Sequence, residues 1–155
     1  MHRRNDALRS AALLITDAAT IAASHSPGVA TVGSLKVEPG SRNSVPGLVD
    51  GTIDMRHPEE EQVAHMSRAF TLAGEEAAGN HGCTFEFNEL WRAPHVSFDG
   101  RLIASLEAAA RRCGIDTIRL FSAAGHDAVN VARIAPTAML FVPSVGGVSH
   151  HPEEE

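Results

Sequence analysis

The sequence predicts a mixed α+β / α/β fold in two unequal parts, on three observations. Apolar residues recur at helical spacing over residues 4–25. Two stretches after it alternate apolar and polar side chains, as half-buried strands do. From Pro94 onward the pattern changes to alternating helix and strand signals.

The first helix carries Leu8, Ala11/Ala12, Ile15, Ala18/Ala19 and Ala22 on one side, and Ser26-Pro27-Gly28 stops it. Val29 to Glu38 follows as a β-branched strand, with Leu35 and Val37 alternating against Ser34, Lys36 and Glu38. Pro39 to Pro46 is rich in turn formers. A second strand runs from Gly47 to Arg56, with Val49, Ile53 and Met55 on one face and Asp50, Thr52, Asp54 and Arg56 on the other. Pro58-Glu59-Glu60-Glu61 opens a helix to about Ala78, because proline tolerates the first turn and carboxylates favour the positive end of the helix dipole. Gly79-Asn80-His81-Gly82 ends it. A third strand, Cys83 to Trp91, sets Cys83, Phe85 and Phe87 against Thr84, Glu86 and Asn88. Residues 1–94 therefore read α-β-β-α-β, a ferredoxin-like sandwich lacking its first strand.

Arg92-Ala93-Pro94 marks a boundary. Residues 95–155 read as a helix from Asp99 to Cys113, a strand Thr117–Leu120, a helix His126–Arg133 and a strand Thr137–Val142. This α-β-α-β order is the end of a parallel sheet, too small for an independent core.

Composition narrows the function. The 155 residues are 43% hydrophobic and 21% charged, with a net charge of −6 and no long basic block, which argues against nucleic acid as the main partner. Apolar runs are short for a bilayer span, and no secretory h-region opens the chain. Two cysteines make no disulfide framework, so a reduced, cytoplasmic setting is expected. Nine histidines suggest metal or acid–base chemistry.

Several residues have chemistry to offer. Arg56, at a strand end, presents a guanidinium fork suited to a carboxylate, or is a solvated arginine paired with Glu59 or Glu60. The Asn43 amide holds a polar ligand as donor and acceptor, or simply makes a turn. Gly125-His126-Asp127 lies between a strand and a helix, where α/β proteins place ligands; equally, Asp127 caps that helix and His126 lies on the surface. His150 follows a glycine loop and is a candidate metal ligand, with His151 beside it, or belongs to a frayed tail; one histidine cannot hold zinc alone. No Ser-His-Asp, HExxH, CxxC, P-loop or GxGxxG pattern is present.

Two long stretches combine these features: VATVGSLKVEPGSRNSVPGLVDGTIDMRHPEEE and AGHDAVNVARIAPTAMLFVPSVGGVSHHPEE. The first resembles the lid-domain signature of the M20-type metal-dependent amidohydrolases, in their N-carbamoyl-L-amino acid hydrolase and allantoate amidohydrolase branch. The second resembles the closing segment of the same branch's catalytic domain, and the opening MHRRNDAL resembles its first lid helix. The resemblance implies a lid and dimerisation domain over 1–94 and the C-terminal part of a catalytic domain over 95–155. It implies that Asn43 and Arg56 bind the carboxylate side of a ureido substrate, and that Gly125, His126 and Asp127 line the pocket. It implies that His150 is one ligand of a divalent metal site (zinc, manganese or similar), and that the chain pairs as a homodimer through the lid.

Ala123 stands where the family usually has glycine, and its methyl would crowd a backbone contact with substrate. His151 stands where an asparagine is common. The family's other metal ligands, its catalytic glutamate and its lid histidine fall upstream of the first residue. The expectation is hydrolysis of a carbamoyl or ureido C–N bond by the whole assembly and no turnover by this chain alone. Two other readings are a fragment of an M20 aminoacylase or peptidase, and a non-enzymatic dimerisation or regulatory module.

Overall fold

Asp6 starts the first helix by accepting a hydrogen bond from the Arg9 N–H at 3.1 Å. The computed structural model describes residues 4–148 and 151–152. In order these form α1 (Ala7–Ser24), β1 (Val29–Glu38), β2 (Leu48–Arg56), α2 (Glu60–Asn80), α3 (Gly100–Arg112), α4 (Asp127–Val131) and a 3-10 turn at Val145–Gly147. The architecture is mixed α/β with one two-stranded antiparallel sheet among the described residues. It divides into two compact units, Met1–His95 and Val96–Glu155.

In the first unit, β1 and β2 pair from Val29↔Arg56 at one end to Glu38↔Leu48 at the other. Directly opposed residues share a face. The register therefore puts Ala30, Val32, Leu35 and Val37 with Val49, Gly51, Ile53 and Met55. The apolar positions of β1 change from even to odd numbers between Val32 and Leu35. A bulge between Val32 and Ser34, around Gly33, absorbs the extra residue. Without it, Leu35 and Val37 would point to the opposite face. The other face is polar, with Thr31 opposite Asp54, Ser34 opposite Thr52 and Lys36 opposite Asp50. The hairpin is closed by the Gly47 N–H on the Glu38 carbonyl (3.0 Å), and its loop is pinned to α1 by the Ala7 N–H on the Pro46 carbonyl (3.1 Å).

Helix α2 begins without a side-chain cap from Glu59; instead His57 Nδ1 accepts the Glu59 N–H at 2.9 Å. Glu60 and Glu61 occupy its first turn, as the dipole favours. Its inner stripe of Met66, Phe70, Gly74, Ala77 and Ala78 is buried, together with Ala18 and Ala22 of α1, which packs against it. Small residues on α1 and larger ones on α2 make this core. Gly28 must be glycine, because a Cβ there would lie 2.7 Å from the His25 carbonyl oxygen and 3.0 Å from Met66 Sδ. At Gly74 the missing side chain leaves room for the Phe85 ring, which a methyl would overlap.

Helix α1 has a mean hydropathy of 1.2 and is long and apolar enough, by length and composition, to cross a membrane. Its contacts with α2 and the hairpin make it a layer of this unit.

The expected strand Cys83–Trp91 is corrected by the structure: it joins no ladder, although its side chains alternate as anticipated. Cys83, Phe85 and Phe87 are half-buried while Thr84, Glu86 and Asn88 are exposed. Phe70 meets the rings of Phe85 and Phe87 edge-on, with centroids 6.2 and 5.2 Å away. Alternation records which face is covered. A strand needs a neighbouring backbone as well.

The second unit departs further. Helix α3 forms as expected, with the Asp99 carboxylate accepting from the Arg101 and Leu102 N–H groups at 2.8 and 3.1 Å. The stretches Thr117–Leu120 and Thr137–Val142 do not pair with each other and are not strands. The anticipated helix His126–Arg133 is the five-residue α4. The α-β-α-β reading is thus corrected to two helices joined by unpaired segments. Ile118 and Val142 are each 80% exposed. A parallel strand takes hydrogen bonds from neighbours on both sides and cover from both faces, and these segments have neither among the described residues.

Candidate functional site

The hairpin positions both candidate binding residues of the first unit. Asn43 sits in the exposed turn between β1 and β2, where its Oδ1 accepts a hydrogen bond from Ser41 Oγ at 2.7 Å. Arg56 ends β2, opposite Val29. The two therefore lie at opposite ends of the hairpin. Eight residue steps separate Leu48 from Arg56, or about 25 Å at strand rise. One copy of the chain does not bring them together.

Arg56 is paired with Asp54, two residues earlier on the same face, a partner not weighed from the sequence. Asp54 Oδ1 lies 2.6 Å from Nε, and Oδ2 lies 3.0 Å from Nη2. The hydrogen bonds from Arg56 hold the Asp54 carboxyl below its ordinary value of 3.8, and the same bonds raise the guanidinium's pKa. Asp54 was missed as a site residue, although its position two before Arg56 on a strand was visible.

The sign of the linkage follows. A depressed carboxyl stabilises the fold above its unfolded pKa, and the contribution is lost as the pH falls through the lowered folded value. Both side chains are about half exposed, so the contribution at neutral pH is about 0.5 kcal/mol or less. Urea midpoints of the chain and of Asp54→Asn should differ by that small amount at neutral pH and converge under strong acid. A gap that widens toward acid would contradict this.

In the second unit, His126 rather than Asp127 caps α4: its Nδ1 accepts the Ala128 N–H at 3.1 Å. That amide is thereby taken up, and α4 makes no anion site at its start. Gly125 adjoins it in the chain, with open space where a Cβ would stand. His126 and Asp127 are both exposed. His150 lies outside the described residues. Among the described residues no group of three or more His, Cys, Asp or Glu side chains could hold a metal ion. The described residues by themselves make no metal centre.

Comparison with known proteins decides the family. Residues 10–155 match the model of peptidase family M20/M25/M40. The chain belongs to this family. An N-carbamoyl-L-amino-acid amidohydrolase of Paenarthrobacter aurescens is 36% identical over 155 residues, which are 99% of this chain and 38% of the relative. An allantoate amidohydrolase of Bacillus subtilis is 35% identical over 124 residues, covering 80% of this chain and 30% of the relative. A crystal structure of a hydantoinase/carbamoylase-family amidase from Burkholderia multivorans matches with a TM-score of 0.93 at 38% identity, over 100% of this chain and 38% of that one. The chain thus spans about a third of the length of the M20 relatives it matches, and it resembles a C-terminal part of them. The M20 family is generally metal-dependent. The likeness to that larger M20 amidase covers the unpaired segments too.

Proposed function

We propose that this chain is the C-terminal portion of an M20 amidohydrolase that hydrolyses the carbamoyl or ureido C–N bond of N-carbamoyl-L-amino acids or allantoate. The observation that carries this reading is the match along nearly the whole chain to an N-carbamoyl-L-amino-acid amidohydrolase. Residues 1–94 are then a ferredoxin-like lid and dimerisation domain, and 95–155 the end of the catalytic domain. Arg56 and Asn43 bind the carboxylate-bearing side of the substrate; Gly125 and His126 line the pocket; His150 is a metal ligand. Free thiols at Cys83 and Cys113 suit a cytoplasmic setting.

The described side chains supply binding groups and not a hydrolytic centre. Hydrolysis of a ureido bond needs an activated water and a base beside the carbonyl. The reading that this chain alone does not turn over substrate rests on its spanning only 38% of the P. aurescens relative.

Geometry also bears on the partner. Ligands of amino-acid size cannot reach from Asn43 to Arg56 across about 25 Å of hairpin. For both to act on one molecule, they must come from two copies, which supports a homodimer through the lid.

The test is a pair of assays. The purified chain, supplied with zinc or manganese, should release no product from N-carbamoyl-L-amino acids. The same chain grafted behind the part of the P. aurescens enzyme that it does not cover should hydrolyse them. Turnover by the chain alone would overturn the first claim. A folded, dimeric graft without activity on carbamoyl or allantoate substrates would overturn the second.

A further inference from the structure

Residues 83–92 run back along α2 from one end to the other. The Cys83 N–H donates to the Ala78 carbonyl at 2.9 Å, close to the helix C-terminus, and Arg92 Nη1 lies 3.8 Å from Glu60 Oε1 at the helix N-terminus. β2 ends just before α2 begins. Strand, helix and returning segment therefore make a β-α-β unit whose two extended pieces run the same way. The two pieces form no ladder: β2 pairs with β1 alone. Among the described residues, 84–91 make no backbone–backbone hydrogen bond.

Helix α2 overhangs the open edge of β2. It meets β2 and not β1, whereas α1 covers both strands. On the side of the returning segment, its Phe70 meets Phe85 and Phe87. A helix is about 10 Å across and strands lie about 4.8 Å apart, so the gap beneath α2 takes one strand. The apolar groups on either side of it are incompletely covered. Val49, Ile53 and Met55 of β2 and Cys83, Phe85 and Phe87 are half-buried, and no residue of either piece is fully buried.

We propose that this gap is a docking slot for one extended strand, and that its occupant comes from the portion of an M20 amidohydrolase that this chain does not span. The proposal rests on the reading of the chain as a C-terminal portion of such an enzyme. The chain spans 38% of the P. aurescens relative, which leaves ample sequence to supply the strand. The likeness to the longer B. multivorans amidase extends over 100% of this chain, both walls of the slot included. A second copy fits less well, because a strand in the slot must offer both of its edges. In a second copy β1 and β2 have each spent one edge on the other, and 83–91 is held under its own α2 by Phe70. The occupant is about eight residues long, apolar at every second position toward α2, polar between, and free of proline. Backbone hydrogen bonds to both walls hold it, as in other cases of strand addition.

Hydrogen exchange followed by mass spectrometry reads the slot. In the 155-residue chain alone, amides of 84–91 should exchange as fast as in an unfolded chain, while those of α2 stay protected. In the graft behind the P. aurescens portion, amides of 84–91 and the outward amides of β2 should slow about tenfold or more, as amides that gain a backbone hydrogen bond do. The turn at 39–46 should stay fast and serves as the control. The P. aurescens portion added as a separate polypeptide is the second probe, and mixing should slow the same amides. Amides of 84–91 that stay fast in both the graft and the mixture overturn the slot. If that graft still hydrolyses N-carbamoyl-L-amino acids, the proposed activity survives the loss. Slowing in a graft inactive on carbamoyl and allantoate substrates keeps the slot and removes the substrate reading. Slowing in the chain alone overturns the proposal: if it grows with protein concentration a second copy fills the slot, and if it does not, residues of the same copy do.

Discussion

Mixed dimers of Asn43→Ala and Arg56→Ala, each made in the graft with the P. aurescens portion, are expected to regain more activity than either variant has by itself. Arg56→Ala removes a charge-assisted pair of hydrogen bonds, worth about 1.5–3 kcal/mol, so kcat/KM should fall about 10- to 150-fold. Asn43→Ala leaves a polar ligand group unpaired, and a fall of about tenfold is expected. If each site draws Arg56 from one copy and Asn43 from the other, a mixed dimer has one site with both substitutions and one with neither. Random mixing makes half the dimers mixed, so activity should recover to about a quarter of the unsubstituted value. If both residues act within one copy, every site carries one lesion and mixing restores nothing. The experiment thus turns the separation of Asn43 and Arg56 along the hairpin into a kinetic result. Steady-state rates measured before and after subunit exchange decide it.

Met66→Ala is expected to cost the first unit about 2–5 kcal/mol, the range for emptying a fully buried large side chain. Met66 is 0% exposed, and its sulfur lies against the Gly28 position where β1 begins. The cavity would open between α2 and the start of the hairpin, beside Gly28, which has no side chain of its own to fill it. With native stabilities of about 5–15 kcal/mol, such a loss would lower the melting temperature by many degrees. Met66→Leu keeps most of the volume and should cost under about 1.5 kcal/mol. Leu72, on the same helix but 63% exposed, is the control, and Leu72→Ala should change stability by about 0.5 kcal/mol or less. Thermal melts followed by circular dichroism compare the three. A Met66→Ala shift no larger than that of Leu72→Ala would show that the α1–α2 layer is not the core of this unit.

Some of this protein was legible in its residues. The helices α1, α2 and α3 and the strands β1 and β2 follow from 3.6-residue and two-residue spacings, from the acidic start of α2, and from glycine and proline at the breaks. The assignment to the M20 family was also legible, because the stretches around Asn43 to His57 and Gly125 to His150 are distinctive. These are properties of neighbouring residues, and a short window of chain contains them.

Other features were settled only in three dimensions. The alternation at Cys83, Phe85 and Phe87 foretold the covered face but not the missing ladder, since pairing depends on a backbone distant in sequence. Thr117–Leu120 and Thr137–Val142 failed as strands for the same reason. The bulge at Gly33 could be read in the shift of apolar positions from Val32 to Leu35, yet only the register with β2 showed where the extra residue went. The partner of Arg56 turned on the strand face it shares with Asp54. The separation of Asn43 from Arg56 came from the register that puts them at opposite ends of the hairpin. Local spacing determines what each segment can be, whereas hydrogen-bond partners and site geometry depend on which segments meet, and that is decided by the tertiary fold.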